Sequence, residues 1–318
     1  MPEIVTHYYF GQQVLQDLQD DTKSWIIPEL YEIGVRGPDP LGIVHFRNPP
    51  VWKRVHGKSN WMHTKGCGKL FRNLADIARK AEIREQALLF SYLSGFLTHY
   101  CLDSVCHPYV IYRAGAGKEC SGNHRSLEHA IDRNRLRQHR MKLSDRPITN
   151  RILPNPGLLP AEIRKAIDWA YRDAFDWDDT WGIINQALRD ERAFIRMTED
   201  PRGHFYSFVS KLTNNGNLLS LCYSEPSYQG IDTENEHKRE WKNPYDPSMV
   251  FNQSFAELEK HAAALSMEMI EGICSYIFHD AQYPILIGNR SFESGLDADD
   301  ERNQAEPVCS VLQGRSAM

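Results

Sequence analysis

The stretch "GFLTHYCLDSVCHPYV" (95–110) sets His99, Asp103 and His107 four residues apart in turn. An α-helix advances about 100° per residue, so the three side chains fall within about 80° of one another. Phe96, Leu97, Tyr100, Leu102, Val105 and Tyr109 make the same helix apolar on several sides. Polar groups on such a helix need partners, either hydrogen bonds in a core or a metal ion. "GNHRSLEHAIDR" adds His124 and Glu128, again at i and i+4 on one face. Three further candidates stand alone: His7 in "THYYFG" and His63 in "NWMHTKG" at predicted helix starts, and Asp39 in the proline-flanked turn "RGPDPLG".

Taken singly these residues are ordinary. A His-x-x-x-Glu pair arises readily by chance. A His at a helix start more often hydrogen-bonds the backbone, and an Asp between prolines is usually a turn former. Together they define a chemistry. Neutral imidazole with carboxylate suits Zn2+, and also Mn2+ or Fe2+, and the absence of paired cysteines argues against a soft structural site. Clustered cations of this kind clamp phosphate oxygens and lower the pKa of bound water. The carboxylates offset the charge only in part, so the remaining field favours an anionic substrate.

The elements that must position these residues are helical. Apolar periodicity predicts helices over about Tyr8–Asp20, Thr22–Tyr31, Met62–Lys80, Ile83–Tyr112, Asn123–Met141, Pro160–Phe175, Asp178–Thr198 and Pro247–Phe278. Pro108 should kink or end the long helix near His107. "SDRPITNRILPNPGLLP" reads as a loop joining two helical halves of one core. Residues 214–248 read as long and mostly irregular, a length often associated with function or mobility. The expected fold is all-α, a single multi-helix domain over 1–288. The segment 289–318 is polar, acidic and poor in large apolar residues, and is expected to be a disordered tail.

Bulk properties narrow the function. The 318 residues carry a net charge of −5, which argues against a dedicated nucleic-acid binder, so no stable nucleic-acid partner is expected. No secretory signal and no membrane span are visible. The seven cysteines are scattered, with no CxxC pair; such a set reads as reduced thiols in a cytoplasmic protein.

In order along the chain, "THYYFG", "GPDP", "MH", "GFLTHYCLDSVCHPY" and "HRSLE" resemble the motifs of the bacterial zinc-dependent phospholipase C family, whose fold is shared with single-strand-specific fungal nucleases. The motifs cover about residues 1–140, and the helical remainder to about 280 is similar more loosely. The resemblance implies metal ions in a cleft between helices. Asp39, His63, His99 and Asp103 would hold one ion. Asp103 would bridge it to a second, also held by His7, and His107, His124 and Glu128 would hold the third. Asp39 occupies the place of a carboxylate that binds metal and acts as general base.

The activity implied is hydrolysis of a phosphoric ester by a metal-bridging hydroxide, with a phospholipase C-like phosphodiesterase as the leading reading. Its substrate would be a small anionic phosphoester or a phospholipid head group, the latter reached by transient membrane contact. A single-strand nuclease or nucleotidase of the same fold, a phosphomonoesterase, and a non-catalytic metal-binding helical protein are the alternatives. The sequence departs from the family at its start. Secreted members begin, after processing, with a Trp whose amine and carbonyl complete one zinc site, whereas six residues precede His7 here. Two ions or three are therefore both open.

Other residues carry weaker signals. Cys67, Cys101 and Cys106 lie near the motifs but read as small buried hydrophobes. His129 and Asp132 read equally as partners that orient ligands or as polar surface. His279-Asp280 matches a doublet of helical phosphohydrolases, at a helix end where accident is the simpler reading. "WKRVHGKSNW" reads as a solvated loop with two partly buried Trp, and Trp169, Trp177 and Trp181 as packing residues.

Overall fold

The computed structural model describes residues 4–55, 57–117, 120–141, 152, 158–200, 202, 204–212 and 230–312. The expected all-α class holds: a two-stranded antiparallel pairing of Trp241–Lys242 (β1) with Val250–Phe251 (β2) forms the sheet among these residues. The helices are α1 (Ile4–Asp17), α2 (Asp20–Ser24), α3 (Pro28–Val35), α4 (Pro49–Val55), α5 (Gly57–Lys65), α6 (Gly68–Lys80), α7 (Ile83–Ala114), α8 (Ser121–Gln138), α9 (Arg164–Phe175), α10 (Thr180–Thr198), α11 (His204–Leu212) and α12 (Phe255–Phe278). None is long and apolar enough to cross a membrane.

The axis of the molecule is α7, 32 residues long. It is buried almost all round from Leu88 to Ile111, as expected of a helix apolar on every side. Small and hydroxylated residues on it admit close neighbours. Gly95 meets Gly34 of α3 so tightly that a Cβ on Gly95 would lie 2.0 Å from the Tyr31 carbonyl oxygen. Ser91 and Thr98 return their hydroxyls to the carbonyls of Ala87 and Ser94 at 2.6 and 3.0 Å, so neither is left unsatisfied in the core. Against this axis α6 lays an apolar stripe of Leu70, Phe71, Leu74, Ala75 and Ala78. Helix α12, opened by a reciprocal Ser254–Glu257 capping box, covers another side.

Several expected boundaries shift, each for a local reason. The predicted helix over 22–31 breaks into α2 and α3, because Pro28 starts a new helix at its first turn. That over 62–80 breaks into α5 and α6 at Gly66, whose φ is +71°. The last helix begins at its capping box, eight residues later than predicted. Pro108 does not end α7, which runs on to Ala114. The carbonyl that loses its intrahelical donor is that of Ser104, and Gly295 packs directly against it.

The segment expected to be a disordered tail is ordered from 289 to 312. Phe292 is fully buried in the main core. Its amide donates to the His63 carbonyl at 2.8 Å, and Ser310 and Leu312 donate to the carbonyls of Tyr112 and Arg113 at 2.7 Å each. Low mean apolarity hid one anchoring aromatic. The linker at 144–157 lies outside the described residues except Ile152, as does 213–229 of the long irregular stretch.

Candidate metal centre

Helix α7 supplies three of the eight candidates. His99 and Asp103 are fully buried, and His107 lies one turn further along. His63 comes from α5, Asp39 from the 3-10 turn Asp39–Gly42, His7 from α1, and His124 with Glu128 from α8. Among the described residues, two groups of three or more such side chains converge to within 4.8 Å: Asp39, His63, His99 and Asp103, and separately His107, His124 and Glu128. His7 joins neither, but its Nε2 lies 3.3 Å from Asp103 Oδ1, and its ring stacks on His99 with centroids 4.3 Å apart.

In the first group the Asp39 Oδ1 lies 3.2 Å from His63 Nε2 and 3.8 Å from His99 Nε2. Asp103 Oδ2 lies 3.6 Å from His63 Nε2 and 3.1 Å from His99 Nε2. Zinc bonds of about 2.0–2.1 Å in a tetrahedron set neighbouring donor atoms about 3.3–3.4 Å apart. The observed separations bracket that edge. Asp103 thus turns one oxygen to this group and the other to His7.

Backbone carbonyls decide which ring nitrogen carries the proton. His63 Nδ1 lies 2.8 Å from the Ser59 carbonyl, His99 Nδ1 3.1 Å from that of Val35, and His107 Nδ1 3.2 Å from that of Phe292. A neutral ring that donates from Nδ1 presents a bare lone pair at Nε2. All three lone pairs then face carboxylates or another imidazole, an arrangement that needs a cation between the partners. His99 Nε2, both oxygens of Asp103 and both nitrogens of His7 are buried without a hydrogen-bond partner. Buried polar atoms seldom remain so. The second group repeats the pattern: His124 Nε2 lies 3.0 Å from both His107 Nε2 and Glu128 Oε1. These nitrogen and oxygen donors fit Zn2+.

Electrostatics set the protonation states that metal binding requires. Burial works against the charge on Asp103, but His99 and His7 outweigh it and hold the carboxyl well below its usual range. Burial, with His99 adding, holds His7 below the ordinary imidazole value against the pull of Asp103. Burial and neighbouring His124 keep His107 well below that value. His63 goes the other way. Burial opposes its charge, yet the bond to Asp39 and the charges of Asp39 and Asp103 raise it.

Two supports sit behind the donor atoms. Gly37 has φ +50°, and a Cβ there would lie 2.3 Å from the His99 ring, so the approach of the Asp39 turn requires glycine. Asp132 accepts from the amides of Val5 and Thr6 at 3.0 and 2.8 Å and from the Thr6 hydroxyl at 2.6 Å. It therefore ties the first turn of α1, and with it His7, to α8. The sequence left Asp132 undecided; its bonds to Val5 and Thr6 hold the helix that carries His7.

Phe292 is the residue sequence reasoning missed. It serves both groups: its carbonyl faces His107 Nδ1, and its ring packs 5.3 Å from His63 and 5.9 Å from His99. A lone Phe in "NRSFESGLDAD" was the signal available. The remaining candidates fall away. Cys67, Cys101 and Cys106 are buried, and burial pushes their thiols up, that of Cys101 to about 12. His279 pairs with Asp21 at 3.4 Å and Asp280 with Arg79, so the doublet is split between two surface ion pairs. Lys58 and Trp61 pack on Trp177 and Phe175, at 4.1 and 5.1 Å, while Trp169 is half exposed.

The family model for zinc dependent phospholipase C matches residues 6–174, a span that holds all eight candidates. Neither a curated protein nor a solved structure matches the chain.

Proposed function

The chain belongs to the zinc-dependent phospholipase C family, and on that premise we propose that it hydrolyses phosphoric diesters, with a phospholipid as substrate and diacylglycerol and a phosphorylated head group as products. The observation that carries this reading is the convergence of bare Nε2 lone pairs and carboxylate oxygens, at 3.0–3.8 Å, in two groups served by one helix. Asp39, His63, His99 and Asp103 would hold one Zn2+, and His107, His124 and Glu128 another. His7 with Asp103 Oδ1 is the place for a third. Bound there, zinc supplies a Lewis acid for phosphoryl oxygens and lowers the pKa of water.

The chain's own residues do the rest. Asp39 is the most open of the first group, its side chain 20% exposed against 5% or less for His63, His99 and Asp103. It is placed to accept the proton of the attacking water and return it to the leaving oxygen. Asp103 keeps its charge while wholly buried and balances the site. The carbonyls of Ser59, Val35 and Phe292 keep each ring in the tautomer that leaves Nε2 free.

A phosphoester panel on zinc-loaded protein tests the proposal: phosphatidylcholine, phosphatidylinositol, single-stranded DNA, cyclic nucleotides and simple monoesters. Release of diacylglycerol with loss of activity in D39N is the expected result. Turnover of single-stranded DNA or of monoesters alone would replace the lipase reading with the nuclease or phosphomonoesterase one. No turnover at all would leave a metal-binding protein.

A further inference from the structure

Asp39 differs from the other residues of its group in its scaffold. His63, His99 and Asp103 project from helices, whereas Asp39 stands on a four-residue 3-10 turn. Its amide donates to the Arg36 carbonyl at 3.3 Å, and Leu41 and Ile43 donate to the carbonyls of Pro38 and Pro40 at 3.1 and 3.2 Å, so the turn is held within itself by short-range bonds alone. Tertiary contacts must fix the turn, because short-range bonds in a four-residue turn do not by themselves hold a carboxylate to a fraction of an ångström.

Helix α10 meets this turn from outside, beyond the span that the family model covers. Asp190 Oδ2 accepts from the His45 amide at 2.7 Å, while its Oδ1 accepts from Gln186 at 3.1 Å. His45 has φ +56°, an unfavourable backbone for a residue with a side chain, and the Asp190 bond holds it there. One residue along, Glu191 forms an ion pair with Arg36, both side chains 10% exposed or less. Phe194 packs edge to face on Phe46 at 5.4 Å. Asp190, Glu191 and Phe194 fall within about 100° of one another around α10, so a single face carries these contacts. They fall on both sides of Asp39, at 36 before it and at 45 and 46 after it.

We propose that Asp190 and Glu191 are positioning residues for Asp39: together they clamp both ends of the turn and set the carboxylate against His63 and His99. This rests on the reading of Asp39 as a metal-binding and proton-accepting group. The clamp makes α10 part of the centre without contributing a donor atom to it. It also predicts selectivity, because the His107, His124 and Glu128 group stands on α7 and α8 and does not depend on this turn.

The test is a double-mutant cycle read by Co2+ titration of the metal-free full-length chain, with D39N and H124A used to assign the two groups. D190A should weaken binding to the Asp39 group by up to about 10-fold, the lower end of the range for groups bonded directly to a ligand, because Asp190 acts through the His45 amide. It should leave the His107 group unchanged, and its effect should vanish in the D39N background. D190N keeps an acceptor for the His45 amide and should restore most of the affinity. E191Q, which retains volume and an acceptor for Arg36, is the second arm if D190A does not fold, with a smaller loss that is again absent beside D39N. Wild-type affinity in a folded D190A or E191Q, or an equal loss with and without Asp39, would overturn the proposal. Because the readout is Co2+ binding, a chain that hydrolyses none of the panel esters would refute the activity and leave this test intact.

Discussion

His107 and His124 face each other Nε2 to Nε2 at 3.0 Å, and His107 gives its other nitrogen to the Phe292 carbonyl. Two imidazoles so arranged share at most one proton between them, and Glu128 already competes for it at 3.0 Å. A divalent cation satisfies all three at once. His124→Ala should therefore abolish binding at this group while the Asp39 group keeps its metal. Plasma mass spectrometry of the purified variant, alone and beside D39N, checks the expected subtraction of one equivalent.

Metal removal should destabilise the fold. A ligand that binds only the native state contributes about 2.7 kcal/mol at a hundredfold excess over its dissociation constant. Stripping with a chelator should lower Tm by several degrees and re-addition of Zn2+ should restore it. Scanning calorimetry on the two forms is the measurement; identical transitions would contradict it.

Gly37→Ala should fold poorly and lose the Asp39 group. The added methyl would lie 2.3 Å from the His99 ring, and the position has φ +50°. Backbone strain of this kind costs about 1–3 kcal/mol before the collision is counted. Urea denaturation gives the stability and zinc titration the affinity.

Phe292→Ala should cost about 3–5 kcal/mol, as for other large-to-small changes in a packed core. Its backbone carbonyl remains, so zinc at the His107 group should weaken without disappearing. Truncation after residue 288 removes that carbonyl as well and should release the metal there. Comparison of the two in the same zinc titration separates packing from the hydrogen bond.

Acidification should empty the two groups in order. Protons compete with metal for imidazole. His63 is raised above its ordinary value, so it takes a proton at a higher pH than an unperturbed His. His107 is held well below, and stays neutral further down. As pH falls through about 6.5, the Asp39 group should lose metal first and the His107 group later. Co2+ absorption followed from pH 8 to 5 would show two steps; H63A should remove the earlier one.

The sequence announced most of the candidate donor atoms and little of what holds them. His99, Asp103, His124 and Glu128 were legible because helical spacing converts i, i+4 into a shared face without tertiary knowledge. Asp39, His63 and His7 could be tied to them only through the order of family motifs, since their convergence depends on how α1, α3 and α5 pack on α7. Phe292 was illegible. Its segment has the composition of a tail, and one aromatic among polar residues carries no period. The clamp on α10 was hidden for a related reason: Asp190 and Glu191 look like solvated helix charges until the turn at 36–46 is laid against them. Pro108 does not stop α7, because the proline rule is local while the helix around it is buried almost all round by tertiary packing.

The eight side chains are expected to gather around bound zinc. Anomalous diffraction at the zinc edge from crystals of protein purified without chelator tests it most directly. Peaks within bonding distance of His63 and His99 Nε2, and of His107 and His124 Nε2, are the expected result. Zinc-replete crystals with no peak at either group, and with those nitrogens hydrogen-bonded to protein or water instead, would contradict it.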